Sequence, residues 1–371
     1  MSSPKTTRSI GSPVSCIKES VSPKIALICI ASCPTGTSSV ALPVGAAQRG
    51  GRVASIPPLE DAELIPSRPP PAGPSTDGGR VEPELAERRT HREANRVVSA
   101  HARSWQLVSA LRVEEFDAAQ LGRTDQVILD MEDAIDDSLK QQARDNVLAW
   151  FEGGGRAWVR INDVTTRFWS DDLLALSDAR GLHGVMLAKV ESAEQVTVTY
   201  QRLGARHPVI PLVESALGIE EAVSIARATG GHRLAFGSGD YRKDTGAANE
   251  PVEMACPRTR LVLASRIGGL TGPIDGPTVG TTHALLREQS QDAVTLGMTG
   301  KLCLDPEQPG VINEEFSPSP ADVAWAVEFL EEFEAGGRVI RDGSDKPRLA
   351  RAELITRRAA YFRVRPLHEE L

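Results

Sequence analysis

The sequence predicts an α/β protein built as a TIM-like (β/α)8 barrel, on three observations. Eight short apolar runs alternate with helix-length amphipathic stretches from about residue 101 onward. Strands that alternate with helices pair in parallel, and eight such repeats close on themselves. Charged residues stand at the ends of five consecutive runs, the second to the sixth, and polar functional groups gather at the C-terminal ends of barrel strands. A doubly wound open sheet, the competing fold, would offer a Gly-rich turn after its first strand; none follows here.

Composition sets the outer bounds. The chain has 371 residues, a formal net charge of −8, 40% hydrophobic and 25% charged residues, which is the balance of a globular protein. The acidic excess and the lack of a basic stripe interleaved with aromatics exclude nucleic acid as the expected partner. Cys16, Cys29, Cys33, Cys256 and Cys303 show no metal-type spacing, and their number is odd. A reducing cytoplasm is therefore the expected compartment.

Residues 1–95 differ from all that follows. Pro, Ser, Gly and Thr dominate, as in Arg68-Pro69-Pro70-Pro71, and no period persists. Such a stretch buries too little apolar surface to offset its ordering entropy, so it is expected to be a disordered extension, unless translation starts downstream of it. The charged stretch 82–96 reads as a short helix leading into the body. The apolar run 25–33 is far short of the roughly 20 residues of a membrane span. Its Ile30-Ala31-Ser32-Cys33 has a lipoprotein-signal flavour, which Glu19, Pro13 and Pro23 upstream oppose. No membrane partner is expected.

The barrel domain is assigned to 96–337, with strands at 105–109, 126–131, 157–161, 184–190, 209–213, 233–236, 272–274 and 300–304. Ser192 with Gln195 three residues on reads as a capping box opening one of the helices. After the eighth strand, Ser319 as N-cap and Pro320 at the first helical position start another. It runs through Trp325, Phe329 and Phe333 and stops at Gly336-Gly337. The tail, 338–371, is too polar for a core. It is expected as a helical lid or oligomer contact, outside the barrel, on a neighbouring subunit or over the mouth.

Chemistry enters with the strand ends. Glu214 ends the fifth strand and Asp240 follows the sixth. Two carboxylates on adjacent ends can grip one hard divalent cation and leave its other positions to water and substrate oxygens; otherwise one caps a helix and the other pairs with an arginine. Arg160 can hold a carboxylate bidentately, or neutralise Glu132 or Asp133, or both. Lys189 invites comparison with a Schiff-base lysine, but carboxylate neighbours would keep it charged. The Gly237-Ser238-Gly239 turn lacks the Lys-Ser/Thr of a phosphate cradle, and no HxxxH or HExxH spacing suggests zinc.

Taken in order, these stretches resemble the CitE-like (citrate lyase β-subunit-like) acyl-CoA lyases of the HpcH/HpaI aldolase superfamily. The resemblance rests on Ile128-Leu129-Asp130-Met131-Glu132-Asp133-Ala134, Val159-Arg160-Ile161-Asn162, Leu187-Ala188-Lys189-Val190-Glu191-Ser192 and Leu212-Val213-Glu214-Ser215-Ala216-Leu217-Gly218. Phe236-Gly237-Ser238-Gly239-Asp240-Tyr241-Arg242, Gly297-Met298-Thr299-Gly300-Lys301 and Phe316-Ser317-Pro318-Ser319-Pro320 complete it. It implies a barrel that assembles as a homotrimer or hexamer, with Mg2+ on Glu214 and Asp240. Arg160 would take the carboxylate of the oxo-acid fragment, with Glu132 and Asp133 orienting it and the water on the metal. Arg103 and Arg112 would lie at the acyl-CoA entrance, and Asp345, in Asp345-Lys346-Pro347, would be the acid of a lid that closes over a neighbouring subunit. Three departures surround the thioester path: Val108-Ser109-Ala110 where the family has Val-Pro-Gly, Leu304-Asp305-Pro306 where it has Ile-His-Pro, and Ile274-Asp275-Gly276 without a following Tyr- and Asp-rich turn. The expected function is Mg2+-dependent carbon–carbon cleavage of a short carboxylated β-hydroxyacyl-CoA, of citramalyl, malyl or citryl type, to an oxo acid and acetyl-CoA. An aldolase on free oxo acids and a carrier-dependent citrate lyase β subunit are the alternatives.

Overall fold

The computed structural model describes residues 83–280 and 282–367. The expectation of disorder for 1–95 lies outside the described residues up to residue 82. Beyond it, Pro83–Ala94 is a helix, so regular structure begins ahead of the domain boundary drawn at 96. That helix is docked: Arg92 donates to the Thr124 carbonyl at 2.6 Å, and the buried Arg89 to Asp117 and to the Gly153 carbonyl.

Eight parallel strands close in sequence order: β1 (Ser104–Ser109), β2 (Gln126–Asp130), β3 (Ala157–Ile161), β4 (Leu182–Leu187), β5 (Val209–Val213), β6 (Ala235–Phe236), β7 (Ile274–Asp275) and β8 (Gly300–Cys303). The closing pair sets Trp105 of β1 beside Leu302 of β8. β3 and β5 fall on the expected residues; the others differ by a few at their ends. The largest overrun is at β4, which stops at Leu187 because Lys189 takes φ 53°, a left-handed conformation that no strand tolerates.

Parallel strands bury both faces, so their sequence reads as one apolar run and hides the two-residue alternation beneath it. The structure exposes it. Ile128, Trp158, Met186, Ile210, Leu212, Ile274 and Leu302 point into the barrel, while Val127, Leu129, Val159, Val185, Val209 and Val213 pack against the surrounding helices. Inside, Trp105 and Trp158 meet edge to face at 5.5 Å. Cys303 belongs to the outer layer, not the interior.

The Ser192/Gln195 capping box forms, and Ser319 caps the helix Pro320–Ala335. The tail is the helix Asp345–Phe362, packed on the preceding helix through Phe329 and Ala352. It ends under the N-terminal face of the barrel, where Tyr361 stacks on His101 at 4.3 Å and Phe362 lies 4.2 Å from the Arg103 guanidinium. Within this chain, that is the face opposite the mouth.

A charged cluster at the barrel mouth

Alternation along the strands builds the site. Continuing the inward parity of Ile128 gives Asp130 and then Glu132; that of Trp158 gives Arg160; that of Ile210 and Leu212 gives Glu214. Asp130, Arg160 and Glu214 are each the first inward position past the apolar filling, at the C-terminal opening, and Glu132 is the next beyond Asp130. β2 and β3 pair with Asp130 directly beside Arg160. Arg160 donates Nε and Nη2 to the two oxygens of Asp130, both at 2.7 Å, and its Nη1 lies 3.3 Å from Glu132. The partner that holds Arg160 side-on is thus Asp130. Glu132 assists, and Asp133 does not touch it; it lies half-exposed at the rim. Burial pulls the guanidinium down, but Asp130 more than offsets this and holds it fully charged. The end-on edge of the fork, one N–H from each terminal nitrogen, is left to receive a carboxylate.

Lys189 is pinned between Glu132, at 2.6 Å, and Asp133, at 3.0 Å. Burial lowers its ammonium, yet the two carboxylates override that and raise it above its ordinary range. It is the reverse of what a Schiff-base lysine needs. The strained left-handed backbone at Lys189 has a use: it turns the backbone N–H onto Glu214 Oε1 at 2.8 Å.

Glu214 is buried, with 5% of its surface exposed, and among the described residues no hydrogen bond reaches its Oε2. Burial pushes its carboxyl up to about 8, against the pull of Arg160 and with a further push from Glu132 and Asp240. A Cβ at Gly237 would fall 2.2 Å from Oε2, so glycine alone lets that oxygen lie against the turn leading to Asp240. Asp240 sits in the first turn of the helix Ser238–Thr245 with its side chain 28% exposed. A half-satisfied buried carboxylate beside a second one fits a hard divalent ion. Among the described residues no three His, Cys, Asp or Glu side chains form a fuller cage; one or two carboxylates are what Mg2+ usually takes from a protein.

A supporting shell escaped the sequence reading. Lys140, 5% exposed, donates to the Met131 and Glu132 carbonyls and to Asn162 Oδ1, fixing the turn that carries Glu132. Asn162 is held in turn by Asp172, which Arg144 neutralises. One signal was present: Asp172 lies on the apolar stripe of Phe168, Trp169, Leu173 and Leu176, where a charge requires a buried partner.

The remaining candidates separate. Arg112 follows β1, is exposed on the mouth side and pairs with Glu115 at 2.9 Å. Arg103 precedes β1 and so lies at the opposite end of the barrel, bound to Asp125 through its backbone N, Nε and Nη2. Arg103 therefore stands apart from the mouth cluster: its strand runs away from it toward the C-terminal opening. Asp345 opens the last helix and accepts the Arg341 N–H at 2.7 Å; no hydrogen bond or ion pair joins it to the mouth of its own chain. Among the described residues, no helix is long and apolar enough to cross a membrane.

Comparison with known proteins follows the same residues. Positions 113–306 match the model of the HpcH/HpaI aldolase/citrate lyase family, and 321–363 that of the HpcH/HpaI aldolase C-terminal domain. The chain is 30% identical over 235 residues to the mitochondrial citramalyl-CoA lyase of Homo sapiens, covering 56% of this chain and 69% of that protein. It is 30% identical over 291 residues to an L-malyl-CoA/beta-methylmalyl-CoA lyase of Cereibacter sphaeroides, covering 66% of this chain and 90% of the other. CitE of Mycobacterium tuberculosis, solved in complex with magnesium, acetoacetate and coenzyme A, superposes with a TM-score of 0.60 at 29% identity, covering 71% of this chain and 100% of that one.

Proposed function

Because this chain belongs to the HpcH/HpaI aldolase/citrate lyase family, we propose that it cleaves a short carboxylated β-hydroxyacyl-CoA, of citramalyl, malyl or citryl type, to an oxo acid and acetyl-CoA. It is a carbon–carbon lyase of the oxo-acid-lyase type. The observation that carries the substrate class is the mouth itself: the end-on edge of Arg160, locked by Asp130, opens beside the half-satisfied Glu214 and Asp240. A carboxylate and an adjacent hydroxyl on one substrate match that pair of subsites.

Arg160 binds the carboxylate of the fragment that leaves as oxo acid, and Asp130 and Glu132 keep the guanidinium from rotating. Glu214 and Asp240 are the residues that would hold Mg2+, which when bound supplies Lewis-acid stabilisation of the negative charge that develops during cleavage. Lys189 keeps Glu214 aimed through its backbone N–H and screens Glu132 through its ammonium. Loss of the hydroxyl proton breaks the carbon–carbon bond and leaves the acetyl thioester as its enolate, which regains a proton. We assign the acceptor of that hydroxyl proton to Asp345 from a second copy of this chain in a trimer or hexamer, since Asp345 does not reach its own mouth. We place the reaction in the cytoplasm.

The test is oxo-acid release by the full chain from citramalyl-CoA, malyl-CoA and citryl-CoA, each with and without Mg2+. Mg2+-dependent release from one of them is expected. Folded protein that is silent with all three, yet cleaves free hydroxy-oxo acids or works only with an added acyl carrier, overturns the assignment.

A further inference from the structure

A second cavity lies at the other end of the barrel, between its N-terminal face and the last helix. It measures about 480 Å3 and is lined from the barrel side by His101, Ser265, Arg266 and Thr271, and from the helix by Arg357 and Arg358. Among the described residues its lining contains no Asp or Glu, in a chain whose net charge is −8. Nothing in the mouth chemistry uses it.

Three features of this cavity lack a structural account without a ligand. Ser265 is 1% exposed, yet its hydroxyl has no hydrogen-bond partner among the described residues, and the same holds for the buried hydroxyl of Thr271. Buried polar atoms are rarely left so. Arg233, fully buried, stands behind the cavity wall: it donates to the Gly272 carbonyl and to Thr299 Oγ1, both residues of the lining, and to the Ser99 and Ala102 carbonyls. None of its partners is a carboxylate, and burial pulls it down to about 9. Arg358, only partly buried, likewise has no carboxylate partner: it donates only to the Phe316 carbonyl at 2.6 Å, with burial and neighbouring Arg103 both lowering it. Buried cations are normally paired. The rest of the wall is apolar, with Val262, Leu270, Leu354 and the face of Tyr361.

We propose that this cavity binds a small anion with an apolar body, a short-chain carboxylate or phosphate monoester, at a site separate from the mouth. The anionic head would lie among Arg358, Ser265 and Thr271, and the apolar part against Leu354 and Tyr361. Because Asp345 begins the same helix that ends in this cavity, an occupant bears on how that helix is held.

The experiment is isothermal titration of the full chain, without Mg2+, with hexanoate, hexyl phosphate, inorganic phosphate and hexanol. Saturable binding of hexanoate or hexyl phosphate is expected, with the tighter of the two naming the head group, and with inorganic phosphate and hexanol at least tenfold weaker. Arg358→Gln is expected to weaken binding tenfold or more. Since Arg358 also holds the Phe316 carbonyl, Leu354→Trp serves as the second variant: Leu354 is 49% exposed, and the larger ring fills the cavity without removing a packed side chain. Failure of both anions to bind, or binding that Leu354→Trp leaves unchanged, overturns the proposal; the latter would put the probe on Arg160 at the mouth. Equal binding of inorganic phosphate overturns the apolar half of it.

Discussion

Two ionic clusters are buried in this barrel on opposite sides of its wall. One faces the mouth; the other, Arg258, Asp275 and Lys301, faces the helices. Both sit near strand ends, and both draw on the same side-chain chemistry. The outer cluster is closed: Asp275 accepts from Arg258 at 2.8 and 3.2 Å and from Lys301 at 2.7 Å, and Lys301 spends a further bond on the Gly276 carbonyl. Burial pushes Asp275 up, but the two cations outweigh it and keep it ionised below its ordinary range. The inner cluster is open. Asp130, Glu132 and Asp133 share Arg160 and Lys189, Asp240 has only the exposed Lys243 at 4.0 Å among the described residues, and Glu214 stays well above the carboxylate range. The lesson is parity. Ile274 and Leu302 point inward, so Asp275 and Lys301, each one residue further or earlier, point outward and can only brace the wall. At Asp130, Arg160 and Glu214 the parity is inward, and the same charges are left with work to do.

The largest effect should come from removing what is open. Glu214→Gln and Asp240→Asn are each expected to cut Mg2+-dependent kcat/KM by about a thousandfold or more, the scale of losing a principal electrostatic stabiliser, while Glu214→Gln leaves the metal-free fold intact or raises its melting temperature, since a buried carboxylate without a full set of partners is removed. Steady-state kinetics and thermal melts on the same preparations check it; full activity in either variant removes that residue from the site. The closed cluster should answer in the opposite way. Asp275→Asn strands two buried cations and is expected to cost about 3–5 kcal/mol of stability, measured by denaturant unfolding. The protein that remains folded should keep its KM and kcat.

The pH response sharpens the same contrast. In the metal-free protein the Glu214 carboxyl titrates at about 8 in the folded state, against about 4.3 for a free side chain. Between those values the folded state carries the extra proton, so the contribution of Glu214 to stability is complete at low pH and is lost as pH rises through about 8. A divalent ion must displace that proton. Its apparent affinity should therefore climb about tenfold per pH unit from 5.5 to 7.5 and level off above 8, a slope that Glu214→Gln abolishes. Titrations of Mg2+ against melting temperature at several pH values measure it, and a flat profile in the unsubstituted protein contradicts the buried, half-satisfied carboxylate.

How much of this was legible beforehand divides along sequence distance. Strand order, barrel closure and the charges at strand ends follow from local runs, and the capping residues Ser192 and Ser319 act within one turn of themselves. Inward or outward parity was not legible, because both faces of each strand are apolar and the run carries no period. The true partner of Arg160 was not legible either: Asp130 lies thirty residues away and becomes its neighbour only through the β2–β3 register. Lys140 meets Asn162 across 22 residues for the same reason. Arg103 shows the weight of direction: Arg103 and Arg112 flank the same strand, β1, and only its polarity sends them to opposite ends.

That pair supplies the smallest expected effect. Arg112 is exposed on the mouth side and tied only to Glu115, an i,i+3 pair with both side chains largely in water. Such a charge is worth up to about 1 kcal/mol, so if coenzyme A phosphates pass it, Arg112→Gln should raise KM for the thioester roughly three- to fivefold with kcat unchanged. The effect should fade as added salt shortens the Debye length. Arg103→Gln is the matched control. It breaks the pair with the buried Asp125 at the far end of the barrel, so it should lower the melting temperature and leave KM alone. A KM that rises in Arg103→Gln instead, with Arg112→Gln silent, would mean that the thioester approaches from the N-terminal face, and the assignment of the mouth as its entrance would fail.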